Sequence, residues 1–218
     1  MSPRSFLLDD RLNDYIVSHT EPADEVMVRL TERTQALGSP AGMQVGPDQA
    51  AFLTMLTRFA GVRSAVEIGT FTGTSALCIA RGLADGGKLL CCDVSEEWTA
   101  IARDAWAEGG VDDRIELRIA PGIETLAALP TDPTIDLAFI DADKPGYLSY
   151  YEELVPRLRP GGWIVADNTL WSGTIVDPDN TEAATEALRA YNDRAAADDR
   201  VMTVVLALAD GLTVSQKR

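Results

Sequence analysis

The sequence predicts an α/β protein: a seven-stranded mixed sheet with helices on both faces, preceded by extra helices. Three observations carry that expectation. After Val62, short β-branched runs alternate with helical stretches. Those runs are near-continuously apolar, as in parallel strands covered on both sides. The chain then closes on a hairpin pattern.

Taken in order, Leu8, Leu12, Tyr15, Ile16 and His19 share one face of a first helix. A second helix is predicted over 24–37, stopping before Gly38-Ser39-Pro40. A third opens at Pro47, with Ala50, Phe52, Leu53 and Leu56 turned inward. Strands are predicted over 64–70, 88–94, 115–120, 135–142 and 163–167, with helices over 72–85, 96–109, 122–128 and 146–158. Asp179 followed by Glu182 resembles a capping box opening a helix that runs to Ala197. Residues 201–208, the turn Ala209-Asp210-Gly211 and residues 212–216 complete an antiparallel hairpin. No repeat or linker divides the chain, so residues 1–218 read as one domain: a helical cap and dimerisation region over 1–60 and a sheet core over 62–218. An amphipathic first helix without a strand partner must lay its apolar face on its own domain or on a second subunit.

The 218 residues are 46% apolar, enough for one sizeable core. With 34 acids against 19 bases the formal charge is −15, which would repel a phosphate backbone and argues against nucleic acid as a partner. No apolar run approaches the ~20 residues that span a bilayer, and acids interrupt the N-terminus, so neither anchor nor signal peptide is expected. Three cysteines, Cys78, Cys91 and Cys92, form no CxxC pair, which argues against a disulfide framework and a zinc site and makes the cytoplasm the default.

The first strand runs into Glu67-Ile68-Gly69-Thr70-Phe71-Thr72-Gly73-Thr74-Ser75 and then a helix. Glycines there let backbone approach a ligand, and the helix start offers free N–H groups. Asp93 ends the second strand, where an acid can accept both hydroxyls of a ribose. An adenosine-type cofactor is therefore expected. Phe71 breaks the GxGxxG fingerprint of dinucleotide sites, and Glu67 suits a cofactor carrying an ammonium and a sulfonium better than one carrying phosphates. The alternative is a plain tight turn with a polar strand end.

Asp141 closes the fourth strand and Asp167-Asn168 the fifth. Ligands of open parallel sheets bind outside the carboxyl ends of the strands, so these three can converge. Two carboxylates and an amide carbonyl are a hard oxygen set suited to Mg²⁺; the alternative is three ordinary strand-terminal polar residues. Asp143 competes with Asp141, because strand alternation would point both the same way. Lys144 beside a metal and a cationic cofactor would have its pKa lowered and could serve as a base; otherwise it is a surface lysine paired with Asp143. His19 reads as a helix-face residue, and Trp171 as either a stacking wall or loop packing. Tyr147 and Tyr151 share a face, whereas Tyr150 points toward the cofactor; Cys78, Trp98, Trp106 and Trp163 read as structural.

Four blocks, Glu-Ile-Gly-Thr-Phe-Thr-Gly-Thr-Ser (67–75), Phe-Ile-Asp-Ala-Asp-Lys (139–144), Tyr-Leu-Ser-Tyr-Tyr (147–151) and Ala-Asp-Asn-Thr-Leu-Trp (166–171), together resemble the cation-dependent class I O-methyltransferases of the caffeoyl-CoA and catechol type. Met43-Gln-Val-Gly-Pro-Asp-Gln and Asp210-Gly-Leu-Thr-Val extend the resemblance over nearly the whole chain. The resemblance implies a Rossmann-like fold and S-adenosylmethionine held by Val45, Glu67, Gly69, Thr70, Ser75, Asp93, Pro121, Asp141 and Tyr150. It also implies Mg²⁺, or another divalent cation such as Mn²⁺ or Ca²⁺, on Asp141, Asp167 and Asn168. Lys144 and Asp141 would serve catalysis, and Met43, Lys144 and Trp171 would contact a catechol-like phenolic substrate. The family is commonly homodimeric. CoA-linked acceptors would need cationic anchors, and Arg4 and Arg11 are the only obvious N-terminal ones, so a small free phenol is expected. The alternatives are a non-catalytic S-adenosylmethionine-binding regulatory protein and an NAD-dependent oxidoreductase; the intact Asp141/Asp167/Asn168 set opposes the first, Glu67 and the missing fingerprint the second.

Overall fold

The structure, a computed structural model, describes residues 8–218, so Arg4 and the first residues of the cap region lie outside the described residues. Seven strands form one sheet: β1 (Ser64–Ile68), β2 (Lys88–Asp93), β3 (Ile115–Ile119), β4 (Ile135–Ile140), β5 (Leu158–Ala166), β6 (Val201–Leu206) and β7 (Leu212–Lys217). Their order is β3-β2-β1-β4-β5-β7-β6. The first five are parallel, and β7 and β6 add the antiparallel hairpin. The helices are α1 (Asp10–Ser18), α2 (Glu25–Gln35), α3 (Pro47–Phe59), α4 (Thr74–Gly82), α5 (Glu96–Glu108), α6 (Gly122–Ala127), α7 (Tyr147–Arg157) and α8 (Ala183–Ala196).

Strand alternation divides the core. Leu137, Phe139 and Val165 face one side and pack with Leu53 of α3 and Leu77 of α4. Ala138, Ile140 and Ile164 face the other, against Tyr147, Tyr151, Leu188 and Tyr191 of α7 and α8. Asp9, Asp24 and Ser95 each accept an amide N–H of the first turn and so cap α1, α2 and α5. Among the described residues no helix is long and apolar enough to cross a membrane.

Two expectations need correction. β5 starts at Leu158 rather than Trp163, because Gly161-Gly162 bulges within the strand: the register shifts between Ile135 and Leu137, and a Cβ at Gly162 would lie 2.9 Å from the Ile135 carbonyl oxygen. The Asp179–Glu182 capping box does not form; Glu182 is the N-cap of α8 with no side-chain bond, and Asp179 takes part in a preceding turn as an amide donor to Asp177. The apolar face of α1, left by the sequence to its own domain or to a second subunit, carries Leu12 and Tyr15 at 48% and 61% exposure.

The fold sets one close approach beside the future site. Gly69 (φ +87°) follows β1, and a Cβ there would fall 1.8 Å from the carbonyl oxygen of Asp141, just past β4. Gly69→Ala should therefore lower the urea unfolding free energy by about 2 kcal/mol or more. An unchanged unfolding midpoint would mean the two strand ends separate freely.

Candidate functional site

A cavity of about 800 Å³ opens at the carboxyl ends of β1, β2, β4 and β5. One end is the glycine turn. Asp93, from the end of β2, accepts the backbone N–H groups of Thr70 (2.9 Å) and Phe71 (2.8 Å) on Oδ2 and that of Ser95 (2.8 Å) on Oδ1. Its carboxylate thus braces the turn as well as lining the cavity. Phe71 is held at φ +52° and meets the Trp98 ring edge-on at 5.1 Å. Gly69, Thr70, Ser75, Pro121 and Tyr150 also line the cavity, as do Val45 and Met43 from the segment before α3.

The opposite end is built around Lys144, which is 9% exposed. Its ammonium donates to Asn168 Oδ1 (2.6 Å), Tyr147 Oη (2.8 Å) and Asp141 Oδ1 (3.1 Å). Tyr147 Oη passes its own proton to the Asp167 carbonyl at 3.0 Å. Asp141 and Asn168 therefore aim oxygens at one point where a cation sits, and Asp167 is adjacent to Asn168 and 3% exposed. Asn168 reaches this pose through a left-handed backbone, φ +56°, a conformation that asparagine tolerates. Trp171 and Ser172 are also left-handed, and the Ser172 N–H donates to Asp210 Oδ1 at 2.6 Å. The hairpin turn thereby fixes the loop that places the Trp171 ring 5.6 Å from Lys144 Nζ.

Burial dominates the electrostatics. It pushes Glu67 up to about 8 and, with the charge of Asp141 second, Asp167 to about 7. Burial likewise raises the Tyr147 hydroxyl well above its usual range.

The sequence model described as O-methyltransferase matches residues 17–218. The chain belongs to that family. It is similar to a probable caffeoyl-CoA O-methyltransferase 2 of Dictyostelium discoideum, 37% identical over 94% of this chain and 90% of that protein. It is also similar to the catechol O-methyltransferase domain-containing protein 1 of Mus musculus, 33% identical over 96% of this chain and 80% of that one. Among solved structures, the O-methyltransferase from Bacillus cereus in complex with SAH superposes with a TM-score of 0.87, at 29% identity, covering 95% of this chain and 97% of that one. The family assignment replaces both alternatives left open by the sequence.

In this O-methyltransferase every site residue expected from the sequence lines the cavity except Glu67. Glu67 lies wholly buried behind the turn, because alternation in β1 points it under α4 beside Cys91, whose thiol donates to Oε2 at 3.4 Å. Its Oε1 has no partner, as does the buried Thr70 Oγ1. Asp141 and Asp143 diverge rather than align: Asp143 accepts the Tyr150 hydroxyl at 2.5 Å, while Asp141 takes Lys144. Lys144 is accordingly no surface lysine paired with Asp143. His19 is exposed, stacked on Tyr15 at 4.0 Å and off the cavity. Among the wall residues that sequence reasoning missed are Trp98, read as structural; Asp210, read as turn; and Gln49, a polar residue at helical spacing on the buried face of α3.

Because Glu67 is neutral when folded and ionised when unfolded over about pH 4.5–8, the folded chain binds more protons there and loses stability as pH rises. Glu67→Gln should remove part of the fall in thermal midpoint between about pH 5 and pH 8. An identical pH slope in wild type and variant would show that Glu67 is not buried neutral.

Proposed function

We propose that this O-methyltransferase transfers the methyl of S-adenosylmethionine to one hydroxyl of a small vicinal dihydroxy aromatic, assisted by a divalent cation, in the cytoplasm. The observation that carries the reading is the convergence of Asp141 and Asn168 oxygens on one cationic point, beside Asp167, in the cavity that also holds the glycine turn and Asp93. Two carboxylates and an amide oxygen fit a hard divalent ion, although among the described residues no three His, Cys, Asp or Glu side chains are grouped so as to hold a metal ion by themselves. Asp141, Asp167 and Asn168 would hold it. Bound there, the ion would gather two ortho oxygens and draw one hydroxyl down from the phenol pKa of ~10.

Asp93 and the free N–H groups at the start of α4 would hold the cofactor's polar ends, with Ser75 on the wall in front of the unpartnered Glu67 Oε1. Phe71 and Trp98 offer an aromatic flank. As the ammonium, Lys144 Nζ can orient the reacting oxygen, and only after giving up a proton to solvent could the free amine take that of the hydroxyl, with Tyr147 fixing Nζ from behind. Met43 and Trp171 would wall a flat ring and exclude water. Lys144 is the one cationic side chain among the described cavity residues, which favours a free phenol over an acceptor with a polyanionic tail. The buried, free thiols of Cys78, Cys91 and Cys92 agree with a reducing compartment.

EDTA should abolish methyl transfer and leave cofactor binding intact, with Mg²⁺ or Mn²⁺ restoring turnover. Asp167→Ala should reproduce the chelator's effect, and monophenols should be much poorer substrates than ortho-diphenols. Full turnover with metal absent by elemental analysis would overturn the reading.

The chain is further proposed to be a homodimer. Phe59 and Met55 on α3, Met202 and Val204 on the edge strand β6, and Leu12 and Tyr15 on α1 form exposed apolar surface, Phe59 at 88%. Light scattering should give twice the chain mass of 23.5 kDa, and Phe59→Glu should shift it toward one chain. A monomer mass for the wild type would refute the dimer.

A further inference from the structure

Gln49 belongs to α3, outside the sheet, yet its amide ends inside the site. It is 1% exposed, on the same face as Ala50, Leu53 and Thr57, where a helix packed on a sheet normally presents apolar groups. Its Nε2 donates to Asp167 Oδ2 at 2.7 Å, and the Asn168 backbone N–H donates to Asp167 Oδ1 at 2.6 Å. Each carboxylate oxygen is thus tied by one neutral donor. The ammonium of Lys144 ion-pairs with Asp141 instead, and among the described residues no cationic side chain forms an ion pair with Asp167. With both oxygens tied, the carboxylate cannot turn about its Cβ–Cγ bond without losing a buried hydrogen bond. An apolar side chain would fill the same volume on α3; what only the amide adds is the hold on Asp167.

We propose that Gln49 is a positioning residue of the divalent-ion site, presetting the Asp167 carboxylate so that α3 forms part of the reaction centre. The proposal rests on the reading of Asp141, Asp167 and Asn168 as ion ligands. Partners that orient a ligating side chain commonly change metal affinity by roughly 10–100-fold when removed. Gln49 is the side-chain partner of Asp167 that comes from another element, and its amide crosses from the cap helices to the end of β5.

The test compares Mn²⁺ binding by calorimetry in wild type and Gln49→Met, which keeps length and bulk and removes the donor. Mn²⁺ affinity should fall roughly 10–100-fold while S-adenosylmethionine affinity stays within about threefold. The apparent KM for Mn²⁺ should rise in step, with kcat at saturating Mn²⁺ nearly unchanged. Equal Mn²⁺ affinity in the two proteins overturns the role of Gln49, and so does a parallel loss of cofactor affinity, which marks a general packing defect. Absence of Mn²⁺ binding to the wild type overturns the ion-site reading itself. Should Gln49→Met not fold, a crystal structure of the wild type with Mn²⁺ decides: the amide on Asp167 supports the proposal, and an amide turned away overturns it.

Discussion

The site depends on how closely the ends of β1 and β4 approach. In the order β3-β2-β1-β4-β5, β1 and β4 are neighbours although three helices and two strands separate them in sequence, and the chain changes direction across the sheet between them. A crevice opens at such a point because the connections leave on opposite sides. Here the backbone of Gly69 lies against the Asp141 carbonyl so tightly that no side chain fits between. The Asp141 N–H donates to the Ile68 carbonyl at 2.9 Å, so the contact is also tied. The glycine turn and the acid-rich strand ends therefore become two ends of one cavity, and a group bound at the turn is held at a fixed distance from one bound at Asp141.

That geometry concentrates acids. Asp93, Asp141, Asp143, Asp167 and Asp210 line the cavity against the single ammonium of Lys144, and Glu67 lies behind the wall. Uncompensated carboxylates in so little water favour protonation, which is why Glu67 and Asp167 are pushed upward. The arrangement costs stability, and a positive charge brought into the cavity would offset part of that cost. Strain follows the same pattern. The left-handed residues Asn168, Trp171 and Ser172 crowd into one loop, and the turn at Asp210-Gly211 supports it through the Leu170, Thr169 and Ser172 amides.

Much of this was legible because strand ends are easy to read. Asp93, Asp141 and Asp167-Asn168 follow apolar runs, and parallel strands send such residues to a common edge. The depth of a side chain was harder. Glu67 looked like a residue bordering solvent, but within β1 it occupies an alternation position that faces α4, between Cys91 and Phe139 of the adjacent strands. Asp141 and Asp143 looked equivalent until the chain left β4 after Ile140, where alternation no longer applies. Gly161-Gly162 reads as a break and is a bulge; Asp179 and Glu182 have capping-box spacing, but Asp177 and Asn180 side chains take the local amides instead.

The proposed acceptor was the least legible part, and the make-up of the cavity wall explains why. Its walls come from Met43 before α3, Trp171 after β5, Ala184 in α8 and Ala209-Asp210 in the hairpin turn, so no continuous stretch of sequence encodes the pocket. The end of the cavity at the glycine turn is encoded mainly by two strand-to-helix turns and can be recognised from spacing alone. Helix α3 belongs to both descriptions. Its inner face brings Gln49 to Asp167, while its outer face leaves Met55 and Phe59 in solvent beside the equally exposed α1. Both faces belong to the same 13-residue helix. One hydrogen bond, from Gln49 Nε2 to Asp167 Oδ2, thus ties a helix ahead of the sheet to a strand that carries one of the acids.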